Sequence, residues 1–369
     1  MLILNPFKWI EISGGVRYEY NRQKIGAAIP KGSNSVPLSN PILVDNPQAL
    51  WLPSLNLSLK PSDKWVLRAA YGKTVNRTEF REVSPYSELD FANNTIMRGN
   101  PGLVSAEVEN YDLRLEFYPD INKGDAVSVG VFYKDILHPI ERMNESNRVE
   151  SQFPVISYRN ASSAVVKGVE AELRKSLDFI PLALFRNLSV SANVSLIESL
   201  AKFDEKESEK DDIVPERPLQ GQAPYLVNAG LYYENPGWGT KIGVIYNTSG
   251  ESIYAAGNAY RYHSHINGPA FRGGLIELPR QLLDISYTQR IGKGLQMKLT
   301  VQNLLDEKVE IAEDFNFSNK YEPLHDPVEI ETFWDPVAQR EAVRYDYGDN
   351  IYSSFRPGRY FSLSISYSF

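Results

Sequence analysis

The sequence predicts an all-β protein: a transmembrane, antiparallel, up-and-down β-barrel. Three observations carry this. Twelve segments alternate apolar and polar residues at a period of two, and most approach the roughly 9–11 residues with which a tilted strand crosses a bilayer. The connections between them alternate strictly between short and long, which such a barrel explains and a Greek-key sandwich does not. Aromatic residues are plentiful, with 22 Tyr, 16 Phe and 5 Trp. They gather at segment ends, where amphipathic rings favour a membrane–water interface.

The segments run near 9–20, 51–60, 65–74, 108–118, 125–135, 164–175, 187–197, 224–234, 239–247, 282–291, 295–303 and 359–369. In 187–197, Leu188, Val190, Ala192, Val194 and Leu196 alternate with Ser189, Ser191, Asn193 and Ser195. In 111–117, Tyr111, Leu113, Leu115 and Phe117 alternate with Asp112, Arg114 and Glu116. Charges on the second face imply a wet lumen instead of a packed core. The last segment sets Phe361, Leu363, Ile365, Tyr367 and Phe369 against a face that is almost all hydroxyl.

Short connections fall at Pro61–Lys64, Pro119–Gly124, Ser176–Arg186, Asn235–Trp238 and Gly292–Gly294. Long ones cover roughly 21–50, 75–107, 136–163, 198–223, 248–281 and 304–358. With the short turns on the periplasmic side, Trp9, Trp65, Phe117, Tyr233, Trp238, Tyr287, Tyr367 and Phe369 form one rim. Tyr18, Tyr20, Tyr71, Tyr133, Tyr225 and Tyr246 form the other.

Composition narrows the function classes. No run of about 18 apolar residues exists, so no transmembrane helix is expected. The net charge of −7 argues against a nucleic-acid partner. With no cysteine, a disulfide, a thiolate metal site and a Cys nucleophile are impossible. Residues 1–9 lack the basic and apolar regions of a secretory signal.

Several stretches resemble the C-terminal half of the barrel in TonB-dependent outer-membrane receptors, especially those of Bacteroidetes-type bacteria. Tyr71-Gly72-Lys73-Thr74 through Glu82 is similar to a strand-to-loop segment of the family, with Thr78 where Pro is usual. Gly99-Asn100-Pro101-Gly102-Leu103 resembles the element that follows it. Val166-Lys167-Gly168-Val169-Glu170, the loop exit Arg217-Pro218-Leu219-Gln220-Gly221-Gln222-Ala223-Pro224-Tyr225, the turn Asn303-Leu304-Leu305-Asp306 and a terminal Phe369 resemble further family features. The resemblance implies a barrel of about 22 strands closed by a plug, in the outer membrane of a Gram-negative bacterium. Outer loops would capture a scarce nutrient such as a siderophore or glycan, and TonB would act through the plug. Residues 1–369 then represent a partial barrel without plug or TonB-contact segment, expected to be a C-terminal fragment of a longer receptor. The terminal pattern of Phe361, Leu363, Ile365, Tyr367 and Phe369 resembles the signal read by barrel-assembly machinery.

Candidate ligand residues fall in the long loops. Arg77, Arg81 and Arg98 share one loop with Glu79, Glu82, Glu88 and Asp90. They suit an anionic ligand, or pair among themselves as a solvated network. His263 and His265, flanked by Tyr260 and Tyr262, share one face of an extended stretch. They suit a transition metal or haem, or an exposed loop, since no third ligand follows at a convincing spacing. Glu198–Arg217 is rich in acids, but its lysines favour a solvated loop over a Ca²⁺ site. No resident metal or cofactor is expected. A self-standing twelve-stranded passive channel is an alternative. A lipid-acting barrel enzyme is a weaker one, because no His sits beside Ser on an outward strand position and no G-x-S-x-G occurs. A soluble β-rich binding protein leaves the alternating loop lengths unexplained.

Overall fold

The computed structural model describes residues 1–26, 43–91, 95–145, 154–204, 215–257, 273–292, 294–315, 318–335 and 340–368. Its wall is a 14-stranded sheet, with thirteen strands in one path and the two-residue strand Glu216–Arg217 off it. In chain order the thirteen are β1 (Leu2–Phe7), β2 (Ile10–Gly26), β3 (Leu43–Ser62), β4 (Trp65–Asn76), β5 (Ala106–Phe117), β6 (Ala126–Leu137), β7 (Ser163–Ser176), β8 (Leu188–Lys202), β9 (Tyr225–Asn235), β10 (Thr240–Ser249), β11 (Gln281–Ile291), β12 (Leu295–Gln302) and β13 (Tyr360–Tyr367). Each pairs antiparallel with the next in sequence. Among the described residues no pairing joins β1 to β13, so the wall is a partial barrel. All twelve expected segments are strands of this wall; β1 is an additional edge strand before the first of them.

Register places the alternation on two separate faces. Ile12, Leu57, Ala69, Leu113, Val131, Val169, Leu196 and Tyr225 form one continuous cross-strand row. Shifted by one residue, Glu11, Ser58, Arg68, Arg114, Gly130, Glu170 and Ser195 form the next row on the opposite face. Further along, Val190, Leu231, Val244, Ile285, Val301 and Phe361 line up on the apolar face. The apolar face is exposed at Leu113, Val131, Val169, Leu231, Phe361, Leu363, Ile365 and Tyr367, with no protein layer covering these side chains. A soluble sandwich would bury that face. The polar face is cross-linked instead: Arg68 and Arg114 both reach Glu116, at 3.1 and 3.2 Å, and Arg114 reaches Glu172 at 2.7 Å.

All short links lie at one end of this wall and all long ones at the other, as strictly alternating antiparallel strands require. The long connections carry more structure than expected of loops. Four of them each contribute a hairpin to a second, eight-stranded sheet. The hairpins are Ser87–Asp90 with Thr95–Arg98, Ile140–Asn144 with Val155–Asn160, Ser252–Gly257 with Gly274–Glu277, and Val309–Asp314 with Asn350–Phe355. Two parallel pairings and one antiparallel pairing join them edge to edge. The three buried apolar clusters gather on these strands and the segments packed against them, around Met143, Tyr158 and Ile156. Among the described residues, the buried apolar clusters therefore lie at the long-loop end, where Val44 of β3 joins them.

Candidate functional site

At the long-loop end, a cluster of cations and aromatic rings forms on the second sheet. Arg142 and Tyr158 are directly paired across neighbouring strands and so share a face. The Arg142 guanidinium lies 5.2 Å from the Tyr254 ring centroid, a cation–π contact. Arg81, in the turn after β4, acts with Arg142 on both Glu82 and Tyr158. Tyr158 is buried and its hydroxyl is pushed above the ordinary tyrosine range by that burial. Burial likewise raises the Glu82 carboxyl, against a hydrogen bond donated by the Glu79 amide at 2.8 Å. Among the described residues neither Arg81 nor Arg142 closes an ion pair within 4 Å. Two arginines thus act on one half-buried acid, leaving net positive charge beside two aromatic rings.

The residues resembling family motifs build the frame of this cluster. Gly99 sits so close to the 81–84 turn that a Cβ there would lie 2.2 Å from the Ser84 carbonyl and 2.7 Å from that of Arg81. Asn100 donates to the Tyr158 carbonyl at 2.9 Å and accepts from the Gly102 amide at 2.9 Å. Gln220 accepts from the Arg142 amide at 3.0 Å and donates to the Tyr254 carbonyl at 3.0 Å, tying both strands to one turn. That turn is set by Gly221, whose φ of 75° favours glycine. Behind it, Arg217 pairs with Glu141, wholly out of solvent, and stacks 5.1 Å from the Phe203 ring. Thr78, standing where the family usually has Pro, exchanges two hydrogen bonds of 2.6 Å with Gln23 of β2. Asn303 and Asp306, both at positive φ, close the last long connection: Asn303 donates to the Gly358 carbonyl at 3.0 Å and Asp306 pairs with Arg356 at 3.1 Å.

The expected ligand residues separate. Arg77 is committed to Glu19 of β2, not to the acids of its own loop. Arg81 joins the cluster. Arg98 is exposed at the end of its strand, opposite Ser87. Tyr260, Tyr262, His263 and His265 lie outside the described residues, as does Phe369. Sequence reasoning missed Arg142 and Tyr158, which lie in strands of five and six residues. Among the described residues no group of three or more His, Cys, Asp or Glu side chains is placed to hold a metal ion.

Comparison with known proteins agrees with this architecture. The sequence profile of the family described as "TonB dependent receptor-like, beta-barrel" matches residues 4–304. Among solved structures, the copper transporter OprC is similar at a TM-score of 0.60 and 13% identity, over 100% of this chain and 47% of that one. A mutant of the ferric enterobactin receptor PfeA from Pseudomonas aeruginosa gives 0.54 and 17%, over 100% and 44%. The ferric-catecholate import receptor Fiu of E. coli gives 0.55 and 13%, over 99% and 43%. The chain thus spans about half the length of these proteins. No curated protein matches it. The matched profile covers most of the wall and most of the second sheet, and the chain belongs to the TonB-dependent receptor-like β-barrel family.

Proposed function

We propose that residues 1–369 form part of the barrel of an outer-membrane receptor that takes up a scarce nutrient in a Gram-negative bacterium. The apolar face meets outer-membrane lipid, the short turns face the periplasm, and the long connections face outward. Energy comes from TonB through a plug domain outside this chain, and the ligand is a small molecule recognised at the long-loop end. The Phe361, Leu363, Ile365, Tyr367 and Phe369 face serves as the signal for the assembly machinery.

The observation that carries the ligand reading is the Arg81, Arg142, Tyr158 and Tyr254 cluster. Two guanidinium groups with no ion-pair partner among the described residues, beside aromatic rings, favour an anionic ligand with flat, polarisable parts. A ferric catecholate, named for one of the similar structures, has that chemistry. Arg98 is proposed as a further cation at the same end of the barrel, and Tyr260, Tyr262, His263 and His265 as further contacts from a neighbouring connection. Arg77 contributes through its hold on β2.

The test is uptake of radio-iron from ferric enterobactin by cells carrying the receptor, with and without a protonophore. Energised uptake that falls about tenfold in an Arg81→Ala, Arg142→Ala double variant is expected, as loss of two charge-assisted contacts implies. Uptake unaffected by the protonophore would remove the TonB reading. Energised uptake of a neutral solute, indifferent to both arginines, would remove the anionic-ligand reading.

A further inference from the structure

The link between β7 and β8 is the longest at the short-turn end, and it is apolar. It reads Leu177-Asp178-Phe179-Ile180-Pro181-Leu182-Ala183-Leu184-Phe185-Arg186-Asn187. Phe179, Leu182 and Leu184 are 65%, 58% and 64% exposed, an expense in water for a segment that needs only to reverse direction.

The link is nevertheless firmly built. The Ile180 amide donates to the Leu177 carbonyl at 3.0 Å, Leu182 to Ile180 at 2.7 Å and Phe185 to Leu182 at 3.0 Å. A 3₁₀ turn covers Ala183–Asn187. Backbone groups satisfied internally can enter a poorly hydrated layer without the desolvation cost of free ones. The base of the link is fixed to the wall: Leu177 donates to the Leu188 carbonyl at 2.9 Å, Asp125 accepts from the Ser176 amide at 2.8 Å, and Asp178 pairs with Lys123 at 2.6 Å.

Its position matches the lipid-facing side. Along β7, Val169, Ala171, Leu173 and Lys175 alternate onto one face, the face of the exposed apolar rows. The Lys175 ammonium lies 5.5 Å from the Phe179 ring centroid, which sets this ring where the apolar face ends. Lys123 and Lys175 are neutralised by Asp178 and Asp125. Arg186 is exposed and forms no ion pair among the described residues. One unmatched cation beside three bare apolar side chains suits a phospholipid surface, with acyl chains below and phosphate above.

We propose that the 177–187 link is a lipid anchor: Phe179, Leu182 and Leu184 sit in the inner leaflet of the outer membrane, and Arg186 holds a lipid phosphate. The proposal rests on the reading of the wall as membrane-spanning and fixes the height of the wall in the bilayer.

The chain has no cysteine, so single-cysteine variants carry a spin label at one site only. The labels go at Phe179, Leu182 and Leu184, with Val131→Cys as lipid reference and Asp63→Cys as water reference. The full chain is assembled in vesicles of phosphatidylethanolamine with phosphatidylglycerol, and collision rates with oxygen and with a nickel chelate are compared. The expected result is that Leu182→Cys and Leu184→Cys follow Val131→Cys, accessible to oxygen and shielded from nickel. Nickel access equal to that at Asp63→Cys would overturn the anchor. Shielding from both reagents would also overturn it, because protein would then cover the link. A lipid reference that itself reads as water would count against the membrane-spanning wall, a separate failure. In a second measurement, Arg186→Glu raises nickel access at Leu184→Cys about fivefold in anionic vesicles and by less in vesicles of phosphatidylcholine, whose phosphate is balanced by its choline. No change in either lipid would remove the phosphate contact.

Discussion

Arg217 and Glu141 form an ion pair from which water is wholly excluded, their side chains 1% and 0% exposed. The pair joins the loop exit before β9 to the strand Ile140–Asn144 at the centre of the second sheet. The Glu141 carboxylate also accepts from the Gln220 amide at 3.3 Å, so one acid fixes both the arginine and the turn that carries Gln220. Removing one partner leaves the other charge buried and uncompensated, at a cost of about 3–5 kcal/mol. Arg217→Ala and Glu141→Ala should each loosen the second sheet by that amount, and the double variant should lose less than the sum. Hydrogen exchange at the amides of 140–144 and 252–257 measures it, with strands β11 and β12 as an unaffected control.

The wall obeys a different rule, because its apolar face is bare. Val131 sits mid-strand in the row that runs from Ile12 to Tyr225, while Asp112 belongs to the opposite face. Val131→Arg should cost about 2–4 kcal/mol, as a charge on a lipid-facing barrel position does. Asp112→Lys should be tolerated within about 1 kcal/mol, since it exchanges one solvated charge for another. Heat-modifiable migration and urea unfolding in vesicles compare the two. Equal cost would mean that the two faces have the same solvent.

The wall was legible because period-two alternation over ten residues has one physical reading. The row from Leu113 through Val131 to Val169 needs only the correct face of each strand, and register follows from burying or exposing it. The second sheet was not legible. Val155–Asn160 and Ser252–Gly257 have six residues each, too few for periodicity to separate a strand from an apolar stretch of loop. Tyr158 and Arg142 are brought opposite each other by pairing between connections, which no local pattern records. Gly99 and Gln220 stood out as motif residues, yet their role became visible only with their partners, the 81–84 carbonyls and the Arg142 amide. The partner of Arg77 was hidden for the same reason: its counter-charge, Glu19, lies on another strand.

Two glycines of these motifs should behave oppositely. A Cβ on Gly99 would meet the Ser84 and Arg81 carbonyls at 2.2 and 2.7 Å, while Gly72 has open space around that position. Gly72→Ala should therefore be neutral or stabilise β4 by up to about 1 kcal/mol. Gly99→Ala must displace the 81–84 turn, at about 1–3 kcal/mol, and carry Arg81 away from Tyr158. Ligand affinity should fall in Gly99→Ala and hold in Gly72→Ala, as titration of the assembled receptor would read out.

Glu82 gives the cluster a pH dependence whose sign follows from its environment. Burial raises its carboxyl above the ordinary glutamate value, so the folded protein holds that proton more tightly than the unfolded chain does. The associated stability is fully present below the ordinary value and is lost as pH rises through the raised one. Over the same window the ionised carboxylate begins to oppose Arg81 and Arg142. Affinity for an anionic ligand should therefore fall as pH rises through the raised value, by about 1 kcal/mol or roughly fivefold, the size of one added charge at close range in a partly wet site. Glu82→Gln keeps an acceptor for the Glu79 amide while removing the charge, so it should hold the high affinity at every pH and flatten the stability profile between the two values. Binding of ferric enterobactin between pH 4 and 8, with and without this substitution, measures both trends. An affinity that instead rises with pH would mean that the ligand contacts the carboxylate through a cation, and the arginine pair would lose its assigned role.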